Sequence, residues 1–289
     1  PLARGPNLTG TKFMALVDRV REFRPPDFSR LRPFRIAGAT VGWVKRGFAR
    51  DLAGFPDVFT VADHEILLSD RLETPAARTA AVDAVVAALY RAGRIPKLRC
   101  ERFAVAERPS DPPLLTVDRA AVALLGTRAC GVHVNGYVGE GDAMRLWIGR
   151  RAKDKAVAPG KLDHIVAGGQ PASHGILATL VKEAAEEAAI PEALARRARP
   201  CGFCSYVIEA GDGTRNDLLY NFDLPLPADF VPRNTDGEID SYELMPVADV
   251  MARIATTRDF KFNVALVTID FLVRHGFVGP EDPDYEEIV

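Results

Sequence analysis

Apolar positions along the chain recur with two different periods, and the changes between them outline the elements. Residues 78–92 place Ala81, Val82, Val85, Val86, Leu89 and Tyr90 at helical spacing, one stripe of a helix that ends at Gly93. Residues 247–255 and 262–275 read the same way, the second with Phe262, Leu266, Ile269 and Val273 on one side. A short helix is expected over 14–23. Elsewhere the pattern is that of strands: 34–44, interrupted by Gly38 and Gly42, then 55–68, 132–138, 144–150 and 162–166. Two more, 203–209 and 217–224, flank Ala210-Gly211-Asp212-Gly213, a sequence suited to a hairpin turn, which implies a mixed or antiparallel sheet.

Between these sets lies 106–115, with Pro109, Asp111, Pro112 and Pro113. Prolines fix extended geometry and withhold backbone donors, so the stretch reads as a linker. It divides the chain into a small α+β N-terminal domain over 1–113 and a second α+β domain over 114–289. A chain of 289 residues with 47% hydrophobic content has material for both cores.

Charge narrows the partners. The 37 basic and 39 acidic residues are spread along the chain for a net charge of -2, which argues against nucleic acid. The longest apolar runs, 80–90 and 263–273, each carry an Asp and fall short of the ~20 residues that span a bilayer, so no membrane partner is expected. No apolar segment with a small-residue cleavage site is visible near the amino end, and a cytoplasmic setting is expected. A chain starting at Pro1 leaves an organelle address upstream open. Cys100, Cys130, Cys201 and Cys204 are too few for a disulfide framework and are expected to be reduced. Cys201 and Cys204 form a CxxC without the second ligand pair that zinc needs, and are read as buried small side chains.

The chemistry gathers after Gly168-Gly169. The helix that follows carries Glu183, Glu186 and Glu187, carboxylates one turn apart on one face. Such like-charge pairs oppose a helix by a few tenths of a kcal/mol each, so solvent or a bound cation must compensate. A solvated acidic face is the plain alternative. The other side of the helix, Ile176, Leu177, Leu180, Val181, Ala184 and Ala188, is apolar enough to dock on a sheet and hold the acids in place. Hard oxygen ligands of this kind suit Mg2+ or Mn2+.

The run from Gly168 through Lys182-Glu183-Ala184-Ala185-Glu186-Glu187-Ala188-Ala189-Ile190 resembles the Nudix box. Gly168, Glu183, Glu186, Glu187 and Ile190 fall at its spacing. His174 stands where the pattern has its first Glu, Lys182 replaces Arg, and Ala189 replaces Gly. In the family that first Glu mainly supports the loop and helix. Further segments, Val41-Gly42-Trp43-Val44, 131–137, 147–151, 163–169 and Asp236-Gly237-Glu238, are similar to the Nudix subfamily related to thiamine pyrophosphokinases. The resemblance implies a Nudix-type mixed β-sheet sandwiched between helices, preceded by a small domain of its own type. It also implies an enzyme, a magnesium-dependent hydrolase of a small-molecule diphosphate, with thiamine diphosphate or its oxidised forms giving the monophosphate. The alternatives are a nucleoside diphosphate derivative such as ADP-ribose or NADH as substrate, or a binding module that lost catalysis. Isomerisation of an isoprenoid diphosphate is set aside, since no cysteine adjoins the box.

By the same resemblance, Glu183 and Glu187 are direct metal ligands, Glu186 a further ligand or the base, and Gly168 a carbonyl ligand. Glu238 is the first candidate for an additional catalytic acid from a later loop, with Asp240 second. Arg150, Arg151 and Lys182 are the candidates for holding substrate, with Lys153 beside them. Trp43, Trp147, Phe203 and Tyr206 could stack on a heterocycle, and His133 and His164 are read as satisfied core residues.

Overall fold

The computed structural model describes residues 15–211 and 213–289; Met14 and Asp212, in the expected first helix and the expected hairpin turn, lie outside them. Helix α1 (Leu16–Arg21) is followed by β1 (Leu31–Ile36) and β2 (Ala39–Lys45), an antiparallel pair with an irregular register after Phe34. Next come α2 (Arg46–Leu52), β3 (Phe59–Val61) and β4 (Ile66–Leu68), which complete a sheet of order β2-β1-β4-β3. Helix α3 (Pro75–Arg91) starts on a capped end, with Thr74 Oγ1 accepting from the Ala77 amide at 3.1 Å and proline at its first position. Its Val82, Val85, Val86 and Leu89 are buried, the stripe read from the spacing.

The proline-rich stretch does not separate two bodies. It closes the antiparallel hairpin of β5 (Arg102–Val105) and β6 (Leu115–Asp118). Phe103, Val105, Leu115 and Val117 are buried in the same core as Phe34, Ile66 and Val85, and so are Ala121, Val122 and Leu125 of α4 (Arg119–Leu125). Prolines end strand pairing in a hairpin loop as they do in a linker, so the two are alike locally. A division at 113 would cut this core. Gly126, at φ 61° in the left-handed region, ends α4 and turns the chain into the larger sheet.

That sheet holds β7 (Arg128–Val138), β8 (Arg145–Arg151), β9 (Leu162–His164), β10 (Val166–Gly169), β11 (Arg199–Ala210), β12 (Gly213–Pro225) and β13 (Ile239–Pro246). Its order is β11-β12-β7-β8-β13, with β10 on β7 and β9 on β8. β7 and β12 run parallel, whereas β11 and β12 form the antiparallel hairpin expected around the 210–213 turn. The sheet is therefore mixed. Successive β7 residues point to opposite faces: Val132 and Val134 join Leu180 and Ala184 of α5 (Ile176–Ala188), while His133 between them meets His164. Helix α6 (Glu192–Ala195) packs beside α5. On the other face lie α1, α7 (Val247–Thr256) and α8 (Phe262–Arg274), in a core with Leu146, Ile148 and Phe271. The short α9 (Tyr285–Ile288) ends the chain. The protein is α+β, a mixed sheet between helices, as expected. Among the described residues no helix is long and apolar enough to cross a membrane.

Candidate active site

β10 ends at Gly168-Gly169, and residues 170–175 lead into α5. Gly168 has a steric reason to be glycine: a Cβ there would stand 2.3 Å from Cγ and Cδ of Glu183 and 2.6 Å from its Oε2. Bare backbone lets the carboxylate lie against the strand. Leu180, Ala184 and Ala188 are buried on the sheet and fix the rotation of α5. Leu177, expected on that apolar side, is 44% exposed, because its position is turned away from the line the sheet covers.

The three glutamates meet different surroundings. Glu187 is 3% exposed, and its Oε2 accepts from the Ala167 amide at 2.7 Å. Burial pushes its carboxyl well above the usual range; the Ala167 amide opposes this, and the charges of Asp163, Glu183 and Glu238 add to it. The Glu183 carboxyl is also raised, by burial first, against the pull of Lys182. Lys182 bridges Glu183 Oε1 at 3.1 Å and Glu186 Oε2 at 2.5 Å. Burial alone would weaken its charge, yet those two carboxylates hold its amine above the ordinary range. Lysine in the place of arginine thus serves two box acids.

The last carbonyls of a helix have no partner within it, and those of α5 are met from one loop and one strand. Arg233 and Thr235 amides donate to Ala188 O and Glu186 O, both at 3.1 Å, and Thr235 Oγ1 donates to Glu186 O at 2.6 Å. The Tyr242 hydroxyl donates to Glu187 O at 2.8 Å and to Ile165 O at 3.3 Å. The same loop carries Glu238, whose amide donates to Asp236 Oδ1 at 2.8 Å. Its charge reaches Glu183 and Glu187, and its carboxylate pairs with Lys155. Asp240 is exposed, at an irregularity in the β13 register between Ile239 and Ser241.

The box loop is held without the expected glutamate. His174 Nδ1 meets Ser173 Oγ at 2.8 Å, and its carbonyl accepts from Gln170 Nε2 at 2.9 Å. The first unit also grips this loop. The Ala172 amide donates to Arg102 O at 2.7 Å, and a Cβ on Gly169 would come within 2.8 Å of Phe103.

Arg150 and Arg151 of β8 are engaged with carbonyl and carboxylate groups of the fold. Arg151 is 7% exposed, and its guanidinium donates to Asp163 Oδ2 at 2.6 Å and to the carbonyls of Val157 and Ala158. Its donors are used inside the fold. Arg150 donates to Gly160 O at 3.0 Å, and Lys153 is exposed. The aromatic residues do not form one platform. Trp43 packs on Phe28 at 4.7 Å between ring centres, and Trp147 lies beside the α5 core. Phe203 and Tyr206 line a cavity of about 810 Å³ together with Phe28 and Tyr220.

His133, Asp163 and His164 bring ligand-type atoms within 4.8 Å of one another. His133 Nδ1 and His164 Nδ1 are 2.8 Å apart, and His164 Nε2 meets Thr268 Oγ1 at 3.1 Å. Two cations already face Asp163, Arg151 at 2.6 Å and Lys261 at 3.4 Å, and they oppose a further positive ion. All three side chains are buried and hydrogen-bonded or ion-paired within the fold. Sequence reasoning missed Asp163, Tyr242 and Lys155; only the first carried a signal, as the neighbour of His164.

Glu183 and Glu187 are largely buried oxygen donors on one helix face, and hard oxygen sets of this kind would fit Mg2+ or Mn2+.

Residues 12–129 match a family described as "Domain of unknown function (DUF4743)". Over 259 residues the chain is 42% identical to Nudix hydrolase 24, chloroplastic, of Arabidopsis thaliana, covering 89% of this chain and 71% of that protein. Nudix hydrolase 20, chloroplastic, of the same plant is also 42% identical, over 267 residues and with the same coverage. The crystal structure of DR0079 from Deinococcus radiodurans aligns with a TM-score of 0.44 and 23% identity, covering 58% of this chain and 97% of that one. With 42% identity running through 89% of its length and the box spacing intact on α5, the chain belongs to the Nudix hydrolase family.

Proposed function

We propose that the chain hydrolyses the diphosphate linkage of thiamine diphosphate or of its oxidised forms, with Mg2+ held by Glu183, Glu187 and the Gly168 carbonyl, and with Glu186 as a further ligand or the base. The observation that carries this reading is the placement of Glu183 against Gly168 beside a buried Glu187. The thiamine assignment draws on the subfamily resemblance along the chain. We further infer that the first unit ends after α4, where its core ends. A reducing compartment, cytoplasm or plastid, suits the four free cysteines, and both Arabidopsis relatives carry chloroplastic names.

A diphosphate resists water because its oxygens are already anionic, so charge must be offset and a nucleophile aligned. The metal, when bound, supplies Lewis acidity at phosphorus and a more acidic water. Lys182 holds the Glu183 and Glu186 carboxylates by ion pairs, and the Ala167 amide orients Glu187. Glu238 stands close enough to act on Glu183 and Glu187 by its charge, within the surroundings where an attacking water would lose its proton.

The test is a substrate panel with Mg2+, run on the wild-type chain and on Glu187→Gln. Thiamine diphosphate or its oxo form is expected to give the monophosphate, with kcat lowered about a hundredfold or more in the variant. Much faster cleavage of ADP-ribose would sink the thiamine assignment. Absence of any magnesium-dependent cleavage that the variant lacks would leave a binding module instead.

A further inference from the structure

The expected phosphate-holding cations, Arg150 and Arg151, turn back into the loop they precede. Arg151 Nε lies 3.2 Å from both Val157 O and Ala158 O, its Nη2 lies 3.0 Å from Val157 O, and Arg150 holds Gly160 O at 3.0 Å. Residues 152–161 are thereby a braced loop at the edge of the site. What this loop offers the box is Lys155. Its amine pairs with the Glu238 carboxylate, and the two side chains are 23% and 45% exposed. The loops that carry them are joined through their backbones as well, Ala152 amide to Glu238 O at 2.9 Å. Thr235 in the Glu238 loop donates from its amide and its hydroxyl to Glu186 O, at 3.1 and 2.6 Å, which brings the pair's loop against the end of the helix of box acids. Of the other nearby cations, Lys182 bridges two box glutamates, and Lys261, buried, faces Asp163 at 3.4 Å, while Lys153 in the same loop is exposed and, among the described residues, is not paired with a box-side carboxylate.

We propose that Lys155 is the cation that binds the substrate's phosphate, and that it exchanges Glu238 for a phosphate oxygen when a diphosphate enters. This rests on the hydrolase reading above. An ammonium on a flexible stem is a point-charge phosphate binder that accepts anions in several geometries. Replacing one anion by another keeps the Lys155 ammonium paired throughout, while Glu238 is set free. Glu238, released from the pair, has its lone pairs open to the proton of an attacking water. Arrival of substrate thus makes the base available, and without substrate the two groups neutralise each other.

The experiment is calorimetric titration of the full chain with inorganic diphosphate in the presence of Mg2+, beside kcat and KM on the best panel substrate. Lys155→Ala is expected to weaken diphosphate binding about tenfold and to raise KM by a similar factor. Lys155→Arg should restore most of the affinity, which a merely structural loss would not allow. Glu238→Gln removes the competing anion, so it should bind diphosphate more tightly while kcat falls. The proposal is overturned if wild type shows no magnesium-dependent diphosphate binding, if Lys155→Ala binds within twofold of wild type, or if Glu238→Gln binds more weakly. Should the variants behave as expected while no substrate is cleaved, the hydrolase reading falls and the assignment of Lys155 stands.

Discussion

Ala189 closes α5 at φ 51°, in the left-handed region, where the box pattern has glycine. A side chain there costs about 1 kcal/mol. Ala189→Gly is therefore expected to raise the unfolding free energy by roughly 0.5 to 1 kcal/mol, read from urea midpoints, with its magnesium requirement unchanged; no gain in stability would show that the turn is unstrained. A second residue-scale effect concerns His164, which burial pushes down to about 4. In the unfolded chain an ordinary histidine takes up its proton near 6.5, so this contribution to stability is complete above that pH and is lost as pH falls through it toward 4. Glu187 works in the opposite direction in metal-free protein, since its raised carboxyl regains a proton on acidification. The measurement is thus the difference between wild type and His164→Gln in urea unfolding at pH 7.5 and pH 5, with the wild type expected to lose more. Equal losses would place the proton elsewhere. At this scale the box acids were legible because their spacing is local. Lys155 and Tyr242 were not, since each acquires its role from a partner brought up by the fold.

Helix stripes and strand alternation are also local, and α3, α5, α7, α8 and the β11–β12 hairpin appear where the pattern put them. The β5–β6 hairpin was missed for the opposite reason: its loop has the composition of a linker, and only the shared burial of Phe103 and Val117 reveals the pairing. The site depends on how elements are fastened. Tyr242 of β13 reaches both Ile165 O, just before β10, and Glu187 O at the end of α5, so one hydroxyl ties the strand that ends in Gly168 to the helix of acids. Tyr242→Phe removes the single proton that these two carbonyls share, at a cost of about 1 to 2 kcal/mol. Its magnesium requirement for activity is expected to rise severalfold while kcat at saturating magnesium stays near wild type. An unchanged magnesium titration would refute the fastening role.

Across the whole molecule, the four-stranded and seven-stranded sheets keep separate cores, yet the first unit touches the box loop through Arg102 and Phe103. The unit that matches the DUF4743 family thus contacts the loop of the candidate site. The parallel pairing of β7 with β12, from Arg128 and Asn216 to Tyr137 and Pro225, has a consequence for how the protein is made. Everything between those strands, the whole box included, must emerge before they can join, and contacts so distant along the chain form slowly. β10 and α5 lie close to β7 in sequence and can settle on it early. The loop bearing Glu238 follows β12. During synthesis the box glutamates therefore emerge before Glu238, so the proposed metal ligands are made before the proposed base.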